Sequence, residues 1–487
     1  MANERIKSIA DMAVFCKKKG FVFQSSEIYN GLSGFWDLGP LGVELFNSIK
    51  ASWWKNFVHN REDMIGIDAS IISHPRTWKA SWHLDSFSDI SISCLKCKKI
   101  NKIDKSEIGK ARCEFCNGEL DRNSAKEIKL LFPVSIGSDG MTAYLRGETA
   151  QGMFLNFKAV SETMRMKLPF GIAQIGSCFR NEIAPRDFLF RCREFHIAEF
   201  EFFIHPNEKK CLLFDDEHKK TEVRLLDLET QDAGKRELRK VTIGKMVSEG
   251  RLDEWHAYWL SEQIKWYLSI GLDPEKIKIR QHVKSELSHY SSATFDVDYE
   301  YPFGSKELGG IANRGQYDLT QHAKESGESM EYFDEPTKSK VIPRVIEPTF
   351  GMERAFLAVL VNAYEYDEGR GNIVLRIKPE LSPIKVAVFP LLSNKEELIS
   401  LSSKIYRELL KEFNCIYDKS GSIGRRYARQ DEIGTPYCIT VDFDSLEKND
   451  ATIRDRDSTK QARVRIDKLK ETIRKLISEE ISFEGIP

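Results

Sequence analysis

FRNEIAPRDFLFRCREFHIAEFEFF, residues 179–203, gathers four arginines, five acidic residues and seven phenylalanines. A surface hairpin would carry those charges but expose the rings, whereas a buried one would hide the rings and strand the charges. The composition suits the wall of a wet cleft with an apolar back, where a charged ligand with a flat ring would sit. Pro185 marks the loop between two strands. Alternate residues of a strand share a face, which places Arg191, Arg193, Phe195, Ile197, Glu199 and Glu201 on one side of the second strand. Cys192, Ala198, Phe200 and Phe202 take the other side, and Arg180 and Glu182 share a face of the first strand. Arginine forks grip phosphate, a ring stacks on a nucleobase and a carboxylate accepts from an exocyclic amine. Together they suit ATP lying on a sheet. An ion-paired hairpin with no ligand is the competing reading of the same residues.

Outside this segment the chain is ordinary in composition. Its 487 residues exceed one hydrophobic core, so two or more domains are expected. With 73 basic and 74 acidic residues the net charge is −1, and a nucleic-acid partner would have to be held by local basic patches. The N-terminal MANERIKSIADMAVFCKKKG lacks the pattern of a signal peptide, and the apolar run AFLAVLV (355–361) is far too short to span a bilayer. No membrane association is expected. Ten cysteines without a secretion signal point to a reducing cytoplasm, and six of them (Cys16, Cys178, Cys192, Cys211, Cys415, Cys438) read as buried thiols. The other four form CLKC (94–97) and CEFC (113–116), a C-x₂-C-x₁₅-C-x₂-C spacing that suits a closed, structural zinc site on Cys94, Cys97, Cys113 and Cys116. Seven Lys/Arg against three acids within 94–116 suit either contact with RNA or a solvated face.

The cysteines lie in a lysine-rich stretch, 86–128, that looks inserted. A second stretch, 206–255, is highly charged with little apolar periodicity and reads as a surface insertion. VELFNSIKASWWKNFV (43–58) and 252–272 have the periodicity of amphipathic helices, the latter ended by Gly271 and Pro274. ATFDVDYEYPFG alternates like a strand. After IKPELSPI (377–384) a new unit of about one hundred residues alternates strand and helix, as in a small α/β domain. Within it GSIGRRYAR sets Arg425, Arg426 and Arg429 around Tyr427, a combination that suits single-stranded RNA.

Taken together, FRNE, a loop, then Arg191, Phe195 and Glu199 at four-residue spacing resemble motif 2 of class II aminoacyl-tRNA synthetases, and GMERAF (351–356) resembles motif 3. Longer blocks resemble the dimeric glycyl-tRNA synthetase family over nearly the whole chain: SSEIYNGLSGFWDLGPLGVEL, RGETAQGMFLNF, KLPFGIAQIGSCFRNEIAPR, ELSHYSSATFDVDYEYPFG, ELGGIANRGQYDL and RRYARQDEIGTPYCITVDFDSLE. The resemblance implies an α+β fold: a catalytic domain over 1–380, built on an antiparallel sheet flanked by helices and carrying the zinc-type insertion. A mixed α/β anticodon-binding domain over 384–487 would follow.

It also implies the chemistry: ATP-dependent attachment of glycine to its tRNA through a glycyl-adenylate, by a homodimer, with Mg²⁺ accompanying ATP. Arg180 would hold the α-phosphate, Glu182 the adenine amine and Phe195 the adenine ring, with Arg191 and Arg354 on the outer phosphates. Arg180 and Arg354 would be catalytic. The implied ATP site adds Asn181, Phe190, Cys192, Arg193, Glu194, Glu307, Leu308, Gly351, Met352 and Glu353, with Glu307 expected at magnesium or the polar network. The implied glycine site comprises Glu148, Phe195, His196, Ile197, Ala198, Glu199, Glu347, Pro348, Thr349, Phe350 and Gly351, its three carboxylates around the ammonium. Arg425, Arg426, Tyr427 and Arg429 would meet the anticodon. The chain departs from the family at Thr349 (usually serine), Gly147 and Ser70 (usually proline) and Lys102 (usually arginine). A catalytically silent, RNA- or protein-binding paralogue is the alternative from another class, although the phosphate arginines it would be expected to lose are present. A class II enzyme for another small amino acid is the third reading.

Overall fold

Helix α1 (Pro40–Trp54) opens on a proline, whose missing N–H costs nothing in a first turn. Leu45, Ile49 and Trp53 follow at four-residue intervals and are buried, and the helix ends in a π-helical turn, Lys55–His59. This computed structural model describes residues 5–103, 108–283, 287 and 291–486. Parts of three sequence readings lie outside the described residues: 1–4 of the N-terminal stretch, 104–107 of the cysteine stretch, and 286 and 288–290 of ELSHYSSATFDVDYEYPFG.

After β1 (Met64–Gly66) the chain leaves the main body for a three-stranded antiparallel sheet of β2 (Ser88–Ser93), β3 (Ile100–Ile103) and β4 (Lys126–Lys129), in the order β3-β2-β4. Ile90, Ile92 and Ile103 form its own small core. The chain returns through α2 (Ala150–Thr163), β5 (Phe170–Phe179), β6 (Glu194–Ile204), β7 (Glu222–Leu226), β8 (Arg239–Thr242), α3 (Glu254–Ser269) and β9 (Ile277–Gln281). Next come β10 (Ala293–Tyr301), β11 (Gly304–Gly315), α4 (Tyr317–Ser326), β12 (Arg344–Gly351) and α5 (Met352–Ala363). One nine-stranded sheet results, ordered β8-β7-β9-β10-β11-β12-β6-β5-β1, antiparallel except where β1 joins β5 and β7 joins β9.

Helices α1, α3 and α5 cover one face of this sheet. Phe200, Phe202 and Phe350 pack there among Trp53, Trp259 and Trp266. On the other face α2 and α4 meet Phe170, Ile172, Phe203 and Val345. AFLAVLV is the buried middle of α5: every residue from Ala355 to Val361 is inside, as a helix apolar on all sides requires. Asp253 caps α3 by accepting from His256 N, and Gly271 ends it in the left-handed conformation, φ +91°.

The stretch 206–255 is not a loose surface insertion. Its strands β7 and β8 extend the main sheet, and Cys211, Phe214, Val223, Leu225, Val241, Ile243 and Met246 join the main core. The apolar alternation is real but falls in strands of four and five residues, diluted by charged neighbours.

The C-terminal unit comprises β13 (Val386–Pro390), α6 (Glu396–Leu409), β14 (Cys415–Tyr417), α7 (Ile423–Asp431), β15 (Tyr437–Val441), β16 (Asp450–Asp455), β17 (Gln461–Arg465) and α8 (Leu469–Ile477). Its sheet runs β14-β13-β15-β16-β17, the first three strands parallel and the remainder antiparallel. Helices α6 and α8 pack on one face and α7 on the other.

Candidate active site

Strand β5 ends at Phe179 and β6 starts only at Glu194, so Arg180, Glu182, Arg191 and Arg193 stand in the connecting loop and not on strand faces. The expected alternation therefore fails for Arg193. It turns away, its Nε donating to the Glu182 carbonyl (3.0 Å) and its Nη1 to the Ser33 carbonyl (2.9 Å). Phe195, His196 and Ile197 all reach a cleft, and from Ala198 onward the expected alternation holds in that Ala198, Phe200 and Phe202 enter the main core.

The cleft encloses about 270 Å³. Arg180, Arg191 and Arg354 enter it from the loop and from the first turn of α5, and Lys102 reaches it from β3. Arg180 lies between two rings, its guanidinium 5.4 Å from both Phe87 and Phe195, with Nε donating to the Gly147 carbonyl at 3.0 Å. Arg354 lies 4.6 Å over Phe190 and donates to the Glu307 carboxylate at 3.0 Å. That guanidinium holds Glu307 below the usual carboxylate range. Glu353 accepts from His196 N and from its Nδ1, both at 2.8 Å, fixing the imidazole at the cleft wall.

At the inner end Thr349 and Gly309 form the floor. A Cβ on Gly309 would sit 2.4 Å from the Tyr267 hydroxyl and 2.5 Å from the Thr349 carbonyl, so only glycine fits there. Behind the floor lies a charged interior. Glu199 Oε1 accepts from the Thr149 N–H (2.7 Å) and hydroxyl, and its Oε2 from the Thr349 hydroxyl at 3.3 Å. Burial raises the Glu199 pKa, with Glu148 adding to the effect. Glu148 itself is lowered despite burial, because His83 contacts it at 3.2 Å and Gln151 at 2.9 Å. Arg314, buried, grips Asp318 with two bonds (2.7 and 2.8 Å) and Glu347 with a third (2.7 Å). Glu201 stands across from Glu347 on the neighbouring strand, fully buried, and desolvation raises both far above the usual range.

Of the implied site residues, the cleft gathers Arg180, Glu182, Phe190, Arg191, Cys192, Phe195, His196, Ile197, Glu307, Thr349, Gly351, Glu353 and Arg354 along its walls. Asn181, Arg193, Glu194, Leu308 and Met352 are outside the lining, the last two fully buried. Glu148, Ala198, Glu199, Glu347, Pro348 and Phe350 are buried and likewise outside it. Leu189 and Gly309 line the cleft without having been singled out. The glycine pair in ELGGIA was a signal for Gly309, since glycine inside a strand marks close approach. Arg314, in IANRGQYD, carried no signal of its own.

The four clustered cysteines bring their Sγ atoms within 4.8 Å of one another, placed to hold a metal ion. Each pair closes a turn through a left-handed residue, Lys98 and Asn117, whose N–H groups donate to the Cys94 and Cys113 carbonyls. One ion pair ties this module to the loop beside the cleft: Glu114 with Arg186 at 2.5 Å. Lys102, which lines the cleft, is held from within the module by Asp89 at 2.7 Å.

In the C-terminal unit the arginine patch divides. Arg426 is only 2% exposed and donates to the Pro390 carbonyl (2.5 Å) and the Gly421 carbonyl (3.0 Å), so it is corrected to an internal brace. Arg425 is exposed, Arg429 pairs with Asp418, and the Tyr427 hydroxyl meets Thr440 at 2.6 Å.

Among the described residues no helix is long and apolar enough to cross a membrane. The Anticodon binding domain family matches residues 385–476. A prolyl-tRNA synthetase from Cryptosporidium parvum, solved with halofuginone and AMPPNP, superposes with a TM-score of 0.60 at 14% identity, over 98% of this chain and 77% of that one. Glycine–tRNA ligases are far closer in sequence. That of Borreliella burgdorferi is 41% identical over 468 residues, covering 94% of this chain and 95% of its own. That of Geobacillus thermodenitrificans is 41% identical over 508 aligned residues, covering 98% and 99%. At that identity and coverage, on a class II synthetase fold, the chain belongs to the glycine–tRNA ligase family of aminoacyl-tRNA synthetases.

Proposed function

We propose that this chain activates glycine with ATP and passes it to its tRNA through a glycyl-adenylate. One observation carries the reading: the cationic cleft is lined at its inner end by Gly309 and Thr349, in front of the buried Glu199 carboxylate that the Thr349 hydroxyl meets. A glycine seated there brings its ammonium towards Glu199, whose ionised form burial disfavours and a neighbouring cation restores. Its carboxylate then points up the cleft towards Arg180.

One carboxylate oxygen of glycine attacks the α-phosphorus of ATP, and the bond from that phosphorus to the α,β-bridging oxygen breaks. Pyrophosphate leaves with the electron pair. Positioning and charge stabilisation carry such an in-line displacement. In this reading Arg180 would hold the α-phosphate, Phe195 the adenine ring, Glu182 the adenine amine, and Arg191 and Arg354 the outer phosphates; all five line the cleft, which supports the assignment. Magnesium accompanying ATP would neutralise phosphate charge, and Glu307, 46% exposed and facing the cleft, fits as its carboxylate. The four thiolates suit structural zinc. The RNA's terminal ribose hydroxyl then attacks the glycyl carbonyl and AMP leaves, the hydroxyl proton going to solvent or phosphate. A cytoplasmic homodimer completes the reading.

Amino-acid-dependent ATP–pyrophosphate exchange across a panel of amino acids is the test. Exchange with glycine, and charging of glycine-specific tRNA, are expected. Folded protein with Mg²⁺ that gives no glycine-dependent exchange would refute the proposal.

A further inference from the structure

Beyond the outer end of the cleft, a second and larger cavity of about 760 Å³ continues between residues 231–238 and the strands β9 to β11. Phe190, Arg191, Glu307 and Arg354 line both, so the two form one passage. From this junction outward the passage is cationic: Lys235 and Arg236 on one side, Lys278 and Lys306 on the other. Its two carboxylates are already engaged, Asp298 with Arg280 at 3.8 Å and Glu307 with Arg354 at 3.0 Å. Lys278 pairs with Glu300, whereas Lys235, Arg236 and Lys306 have no side-chain ion pair among the described residues and are exposed. Desolvating a cation costs least where it stays wet, so such side chains remain available to a mobile polyanion.

We propose that this passage is a pyrophosphate-binding site, which receives the leaving group of adenylate formation and guides it to solvent. The inference rests on the glycine-activation reading, because that reaction is what generates pyrophosphate beside Arg191 and Arg354. When the α-phosphorus bond to the bridging oxygen breaks, the leaving group carries away the electron pair and its full negative charge. It must part from two arginines, and cationic groups farther along its path lower the electrostatic cost of that step. Lys235 and Arg236 supply that step. They come from the stretch that extends the sheet edge, which gives β7 and β8 a task at the reaction's exit.

The test compares wild type with a Lys235→Ala/Arg236→Ala double variant, both residues exposed and clear of the cleft floor. In ATP–pyrophosphate exchange, the KM for pyrophosphate should rise about tenfold, the scale of two partly solvated charge-assisted contacts. The KM values for ATP and glycine should stay within about twofold, as such a change leaves ground-state binding of both intact. Calorimetric titration of magnesium pyrophosphate into each protein should show the same loss of affinity. An unchanged pyrophosphate KM, or an equal rise in the KM for ATP, would overturn the proposal. So would a rise confined to the KM for tRNA, which would assign the passage to RNA. Should wild type fail to exchange with glycine, the activity reading falls, and the titration still decides whether pyrophosphate binds here.

Discussion

Arg180 is held before any substrate arrives, stacked between Phe87 and Phe195 and anchored on the Gly147 carbonyl. That preorganisation is what a transition-state contact needs, because no reorganisation is left to be done during the reaction. Arg180→Ala should therefore lower kcat by about a hundredfold or more in single-turnover adenylate formation, with the KM for ATP less affected. A second prediction concerns Thr349, whose hydroxyl meets Glu199 while its methyl adds bulk at the cleft floor. Thr349→Ser should keep glycine activation and raise the kcat/KM for alanine relative to glycine, and Thr349→Ala should weaken glycine use more. Relief of overlap by one methyl is worth about 1–3 kcal/mol, so the alanine-to-glycine ratio in the exchange assay should shift measurably. A third separates two adjacent arginines. Arg426→Ala leaves the Pro390 and Gly421 carbonyls without their donor and should lower stability by about 2–4 kcal/mol, read by thermal unfolding. Arg425→Ala should leave stability alone and raise the KM for tRNA. Nothing in GSIGRRYAR distinguishes the two. An arginine beside a ring looks the same whether its fork meets solvent or a carbonyl that the chain supplies 36 residues away.

At the level of elements, the cysteine module acts on the cleft through a short list of contacts. Glu114 lies between Cys113 and Cys116 and holds Arg186, so the geometry of one cysteine turn bears on the loop that carries Arg191. Cys94→Ser should lower bound metal, measured by elemental analysis, and loosen that loop, measured by hydrogen exchange over 180–193. Structural zinc can contribute on the order of 10 kcal/mol to a small module, so the loss should be local but large. Elements with strong local signals could be read from sequence: α3 between Asp253 and Gly271, and the alternating units after residue 384. The C-x₂-C pairs were equally plain, since the turn needs only adjacent residues. Strands β7 and β8 could not be read, because β7 is completed by β9, whose first residue lies 51 positions beyond the last of β7 and whose pairing no local pattern records. The buried partners of Glu199 and Glu347 were hidden for a related reason: Thr149 and Arg314 reach them from other strands and helices.

At the scale of the whole molecule, the C-terminal unit has apolar clusters of its own among the described residues, and paired side chains join it to the rest. Arg370 holds Asp431 at 3.2 Å and the Arg456 and Asp457 carbonyls, while Arg376 reaches Asp457 at 3.2 Å. An Arg370→Ala/Arg376→Ala variant should keep glycine-dependent exchange within about twofold yet raise the KM for tRNA, since polar domain interfaces yield first. The catalytic body is bound together differently. Arg354 sits on the first turn of α5, and that helix runs through the largest core beside Trp53, Trp259 and Trp266. All eight tryptophans of the chain fall between residues 36 and 266, none in the cysteine stretch 86–128 or beyond residue 384. Intrinsic fluorescence is thus a thermometer for one part of the protein alone. On heating, the indole emission should redshift in step with the loss of adenylate formation, while melting of the C-terminal domain passes unseen and needs circular dichroism to be caught.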